Sequence, residues 1–127
     1  MFTNIGNVYI ELGEYEIARN YYKNAFKIDT ELYGVDNHSH VARDHDNIGI
    51  TYENLGESIS ALEYYNKSLD MRKAVYGTQT DHPDIATSYN NIGNAYDCLG
   101  EYTSALEYYN KSLEMKKALN LRVGTQY

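Results

Sequence analysis

A single cysteine, Cys98, stands in this chain of 127 residues, so no internal disulfide can staple it. A lone thiol is compatible with a reducing compartment, and a cytoplasmic location is the expectation. Positive charge is scarce: 11 Lys and Arg face 18 Asp and Glu, for a net charge of −7. That balance argues against a nucleic acid, whose phosphates call for a basic face. No apolar run approaches the roughly 18–20 residues needed to cross a bilayer, so no membrane partner is expected. Also missing are paired catalytic carboxylates, a phosphate-cradling glycine loop and a nucleophile beside a base. The chain therefore reads as a non-enzyme without a cofactor. What remains is 43% hydrophobic and 23% charged, a composition that folds.

Repetition is what the chain has in quantity. Asn4-Ile5-Gly6 returns as Asn47-Ile48-Gly49 and as Asn91-Ile92-Gly93, at steps of 43 and then 44 residues. Leu12-Gly13, Leu55-Gly56 and Leu99-Gly100 keep those steps, as do Tyr21-Tyr22, Tyr64-Tyr65 and Tyr108-Tyr109. A fixed period of this size marks stacked units that each touch only their neighbours. The units run over 1–37, 38–81 and 82–127, within one array that fills the chain. The first copy starts inside its first helix, and Gly124-Thr125-Gln126 echoes the linker Gly77-Thr78-Gln79. Both ends thus read as cut from a longer array.

The third copy shows how a unit is built. Asp81-His82-Pro83-Asp84 opens a helix, with Asp81 or Thr80 as its cap and Pro83 in the first turn, where a missing N–H costs nothing. Ile85, Tyr89, Ile92, Gly93, Tyr96 and Leu99 fall three or four apart, which sets them on one helical stripe. Gly100 is the expected left-handed terminator. A second helix starts near Tyr102, with Tyr102, Ala105, Leu106, Tyr109, Leu113 and Met115 as its stripe. So short a connection folds the two helices back as a hairpin. Gly93 and Ala105 leave room at the crossing for large rings, as do Gly49 with Ala61 and Gly6 with Ala18. Glycine inside a helix costs about 1 kcal/mol relative to alanine, so three at one phase imply a packing reason. Ser58 stands where Tyr15 and Tyr102 stand, and the middle copy is expected to lose one ring of core there.

These residues resemble the tetratricopeptide repeat, a helix–turn–helix unit. The likeness rests on Ile48-Gly49 with Tyr52, Ile92-Gly93 with Tyr96, the glycine between helices, and the Ala then Tyr of the second helix. The long step and the His82-Pro83-Asp84-Ile85-Ala86 linker are similar to the roughly 42-residue variant found in kinesin light chains. The proline that usually closes the unit is absent, and Lys73 and Lys117 stand at that phase. The resemblance implies an all-α fold, a right-handed α-solenoid of antiparallel helix pairs, whose first helices line a groove for partner peptides.

By position, the resemblance places Thr3, Asn7, Ile10 and Glu11 in that groove from the first copy. The second contributes Arg43, Asp46, Asn47, Ile50, Glu53 and Asn54, and the third Thr87, Asn90, Asn91, Asn94, Asp97 and Cys98. Asparagine suits the work, since its amide both donates to and accepts from a peptide backbone. Thr3, Thr87 and Asn91 stand where a carboxylate clamp needs basic residues, so no such clamp is expected. With Glu11, Asp46, Glu53 and Asp97 against Arg43, the partner is expected to be a neutral or basic segment. A structural role without a ligand, through self-association of uncapped ends, is the alternative, and on that account the face of the last helix around Leu106, Leu113 and Leu119 is expected to be partly exposed.

Three other signals have duller explanations. His38, His40 and His45 suggest a metal cluster, but they align with His82, Asp84 and the core Tyr89, so no metal is expected. Cys98 has no histidine at a useful spacing and reads as a small helix residue. Most of the fifteen tyrosines fall at recurring core phases.

Overall fold

The computed structural model describes residues 2–34, 39–77 and 82–124, with side chains described to residue 120. Among them are six helices: α1 (Phe2–Glu11), α2 (Tyr15–Tyr33), α3 (Ser39–Asn54), α4 (Ser58–Tyr76), α5 (Pro83–Cys98) and α6 (Tyr102–Gly124). They pair as α1–α2, α3–α4 and α5–α6, and each pair packs on the next to make an all-α solenoid. The linker residues 35–38 and 78–81, including His38, Thr80 and Asp81, lie outside the described residues.

The turn inside each pair follows from its glycine. Gly100 adopts φ 78°, which a side chain would strain. In that conformation the N–H groups of Gly100 and Glu101 donate back to the carbonyls of Asp97 and Tyr96, at 3.0 and 2.9 Å. Those bonds satisfy carbonyls that a helix end leaves open, and α6 begins one residue later. At the other end of α5 the cap is His82, whose Nδ1 accepts from the Asp84 N–H at 3.1 Å. The expected cap, Asp81 or Thr80, is thus replaced by the residue next to Pro83.

The helix glycines mark the close crossings. A Cβ at Gly49 would lie 2.7 Å from Cε1 of Tyr65, and one at Gly6 only 2.6 Å from Cε1 of Tyr22. The third pair repeats this with Gly93 and Tyr109, again at 2.7 Å. Each tyrosine ring thus lies in the space that its glycine leaves empty. A second ring pair recurs beside it: Tyr9–Tyr21, Tyr52–Tyr64 and Tyr96–Tyr108 stack with centroids 5.5, 5.4 and 5.6 Å apart.

Neighbouring pairs join through apolar side chains. Leu69 of α4 packs with Ile85 and Ile92 of α5 around the buried Tyr65. Ile48 of α3 packs on Ala18 and Tyr22 of α2. His45 is buried between Phe26 and Tyr64, with centroid distances of 4.9 and 5.8 Å. It fills the core place that Tyr89 fills one unit later.

Two expectations about the core need correction. Tyr102, placed on the core stripe of α6, is exposed, and the buried line runs through Ala105 and Ser112, while Leu106 and Leu113 are exposed as expected for the face of the last helix. The reason is positional. Leu113 is 48% exposed, whereas its counterpart Leu69 is 6% exposed because α5 covers it. Ser58 does not mark a lost ring of core either. It is buried within reach of Cys98 from the next unit, while Tyr15 is only half-buried and Tyr102 is exposed.

Candidate functional site

The first helices of the second and third units adjoin directly. Near one end of this contact, Asn91 of α5 lies close enough to Asp46 of α3 to favour its carboxylate. Near the other, the Cys98 thiol of α5 lies 3.9 Å from Glu53 Oε1 of α3. Side chains on this shared surface therefore come from two repeats at once, and the helical register decides which of them point outward.

Asn47, Asn90 and Asn91 are half-exposed along the surface. Asn7 and Asn94 are more engaged. Each amide oxygen accepts the hydroxyl of the crossing tyrosine, Tyr22 or Tyr109, at 2.6 Å. That bond fixes the amide's orientation and leaves its NH2 as the outward donor. Ile50 occupies the same register in the middle unit and cannot accept, so the Tyr65 hydroxyl turns to Glu53 Oε2 at 3.3 Å. Burial raises the Glu53 pKa, and the bonds from Tyr65 and Cys98 oppose that rise. Asp97 is exposed at the end of α5.

Asp46 departs from its expected place in the groove. It is only 5% exposed, and its Oδ2 pairs with Nη1 of the buried Arg72 at 2.7 Å. Burial raises its pKa, and Arg72 is the chief opposing influence, ahead of Ser68 and Asn91. Neither of those two makes a well-formed bond to it, and Asp46 Oδ1 is without a partner among the described residues. Asp46 is thus committed within the fold and unavailable to a ligand.

Arg72 itself is the residue that sequence reasoning overlooked. From α4 it reaches Asp46 on α3, and it also donates to the Ser88 hydroxyl and the Asp84 carbonyl of α5, at 2.8 and 3.1 Å. All three contacts are made by the same Nη1, so one end of the guanidinium ties α3, α4 and α5 together across a repeat junction. The available signal was its register, since Asp29 and Lys116 stand at the same place in the other copies.

The remaining candidates gain no chemistry from the fold. The Cys98 pKa is raised, by burial and then by Glu53, which keeps the thiol protonated and unreactive. Burial is also the main cause that lowers the His45 pKa, to about 4. It is therefore a neutral core ring at physiological pH. His40 lies by Tyr33, with centroids 5.3 Å apart.

A model of the tetratricopeptide repeat family matches residues 1–74 and again 42–118. No curated protein matches the chain. Among solved structures, BtubC (BKLC) from P. vanneervenii is similar with a TM-score of 0.83 at 23% identity, over 94% of this chain and 46% of that one. The TPR domain of Arabidopsis FLU is similar at 0.76 and 18% identity, covering 92% of each chain. A Podosopora anserina putative kinesin light chain with nearly identical TPR-like repeats gives 0.78 and 14%, over 94% of this chain and 55% of that one. The present chain spans about half the length of the first and third of these proteins.

Proposed function

The chain belongs to the tetratricopeptide repeat family, a family of non-catalytic scaffolds that mediate contacts between proteins, and we propose that it binds a segment of a partner protein along its first helices. The observation that carries this reading is the half-exposed row Asn47, Asn90 and Asn91 on two adjoining helices, continued by the tyrosine-oriented amide of Asn94. Such a row can donate to and accept from an extended backbone without a change in the fold. With Asp46 neutralised by Arg72, the remaining groove charges are Glu11, Glu53 and Asp97 against Arg43, which still favours a neutral or basic segment. A cytoplasmic setting goes with this reading, since an exposed thiol such as Cys98 stays reduced there.

Changing Asn47 and Asn91 together to Ala tests it. Helical content is expected to hold, because alanine favours helix. Each lost hydrogen bond is worth about 0.5–1.5 kcal/mol, so partner affinity is expected to fall roughly five- to a hundredfold. Unchanged affinity would place the binding surface elsewhere.

A second reading, a self-associating structural segment, draws on Leu106 and Leu113, which are 61% and 48% exposed on one helix. Neighbouring exposed apolar side chains favour association. Sedimentation across a range of concentrations distinguishes the two, because only this second reading predicts a size that grows with concentration.

A further inference from the structure

The second helix of each unit opens on one register, and the middle unit departs from the other two there. Tyr15 and Tyr102 hold that place in the first and third units, and Ser58 holds it in the second. Tyr15 is half-buried and Tyr102 is exposed, so a ring at this register lies at the surface and outside the core. In the middle unit the ring is missing, and an open cleft of about 340 Å³ adjoins Ser58. Gly56, Glu57, Ser58 and Ile59 line it from the turn of the second repeat, and Cys98 and Leu99 line it from the end of α5.

Its apolar walls are not explained by packing. Ile59 is 73% exposed and Leu99 is 37% exposed. Glu16 and Thr103 stand at the register of Ile59, so the helix pair does not call for isoleucine there. One exposed apolar side chain is ordinary, but two that line the same cleft form a contact surface. Cys98 adds a soft, weakly polar sulfur. Gly56 and Ser58 add little bulk, which leaves the space open to a planar ring. A volume at the lower end of the roughly 300–1,000 Å³ of ligand pockets suits one side chain better than a longer ligand.

The charge around the cleft has one sign. Glu57 lines it, and Glu53 Oε1 lies 3.9 Å from the Cys98 Sγ. Asp97 and Glu101 are exposed beside the same turn, and no Lys or Arg lines the cleft among the described residues. Through Cys98 and Glu53 the cleft continues the shared surface of α3 and α5.

We propose that this cleft receives an aromatic side chain of the partner segment, flanked by a basic residue that faces Glu57 and Glu53. The ring covers Ile59 and Leu99 in the place that a tyrosine takes in the other units. The basic side chain stays hydrated at the rim, where its pairing is weak but rejects segments with acidic neighbours. This assignment deepens the binding reading above, and rests on it only in giving the ring to a partner protein.

The probe is the blocked tripeptide Lys-Phe-Lys, with blocked Lys-Ala-Lys and Glu-Phe-Glu as controls. Each is titrated into the chain labelled with carbon-13 at its isoleucine and leucine methyls. The Ile59 and Leu99 signals are expected to shift with Lys-Phe-Lys and to saturate at millimolar concentration. Lys-Ala-Lys is expected to bind at least tenfold more weakly, since it buries no ring. Glu-Phe-Glu is expected to bind at least threefold more weakly at low salt, with the gap closing as salt rises. Ser58→Tyr restores the ring of the other units and is expected to abolish the shift at Leu99. Ile59→Thr installs the third unit's residue at an exposed position and is expected to weaken binding at least threefold, even if the tyrosine variant folds poorly. Absent shifts at Ile59 and Leu99, equal binding of either control at low salt, or unchanged binding in Ile59→Thr would each overturn the proposal. The Asn47 and Asn91 double variant keeps the two readings apart. It leaves this cleft intact, so it is expected to bind Lys-Phe-Lys as the native chain does, whatever it does to a full partner segment.

Discussion

Two junctions of one solenoid share a backbone register and differ in the charge at their centres. Between the second and third repeats, Arg72 supplies an internal cation for Asp46 and spans α3, α4 and α5. Between the first and second, Asp29 and Asp44 face each other and His45 fills the neighbouring core as a neutral ring. The difference teaches that a repeat can conserve its packing while exchanging its electrostatics. The tyrosine and glycine contacts recur in every unit, so the packing inside each helix pair is the same whatever charge its junction carries. One junction is crossed by an internal cation, and the other buries an acid, Asp44, that keeps its proton at neutral pH.

Removing Arg72 is expected to have the largest effect. Arg72→Ala strands the Asp46 carboxylate in a buried site, and breaking such a pair typically costs about 3–5 kcal/mol. Urea denaturation reads the loss. A cost below about 1 kcal/mol would mean that the pair is solvated and that the junctions differ little. Overpacking a crossing comes next. Leu in place of Gly93 meets the Tyr109 ring, at a cost of about 1–3 kcal/mol. The loss is expected to stay local, so hydrogen exchange should rise in α5 and α6 more than in α1 and α2. Equal loss along the chain would contradict a solenoid of separable junctions.

The pH dependence divides the junctions more finely. The Asp44 pKa of about 8 lies above the ordinary carboxylate value, so the folded chain keeps a proton that the unfolded chain has already lost. Its contribution is full below about pH 4, declines as pH rises to about 8, and is constant above. For His45 the sign reverses. Its pKa is lowered to about 4 from 6.5, so its contribution is full above pH 6.5 and is lost as pH falls towards 4. The two slopes oppose each other across the acidic range, and above pH 6.5 the Asp44 decline remains. Its size is on the order of 1 kcal/mol per pH unit between pH 6.5 and 8. Urea midpoints measured across that range should fall for the native chain and flatten for Asp44→Ser, which installs the third repeat's residue.

The smallest effect concerns the tyrosine hydroxyls. Tyr22→Phe and Tyr109→Phe each remove a 2.6 Å bond to an asparagine, at a cost of about 0.5–1.5 kcal/mol. Tyr65→Phe removes a longer bond, 3.3 Å to Glu53, and is expected to cost less in thermal denaturation.

The periodic part of this picture was legible in the sequence. Gly6, Gly49 and Gly93 at one phase signalled close crossings, and the structure sets Tyr22, Tyr65 and Tyr109 against them. The aperiodic part was not. Asp46 and Asn47 are consecutive on α3, and one helical step of rotation sends Asp46 under the surface to Arg72 while Asn47 stays half-exposed. A groove assignment by position alone cannot resolve that step. Asp29 and Asp44 each read as ordinary acidic residues until the packing of α2 on α3 brings them together. Tyr102 satisfied the helical stripe, yet a stripe does not show which neighbour is present to cover it. In each case the missing information was contact between elements, which periodicity within one element does not carry.

The contrast between the junctions is most directly tested by carbon-13 NMR titration of the Asp44 carboxyl in the intact chain. A midpoint near pH 8, falling by several units when Asp29 is changed to Arg, is the predicted result. A midpoint in the ordinary carboxylate range in the native chain would contradict it, because Asp44 would then be an anion at neutral pH.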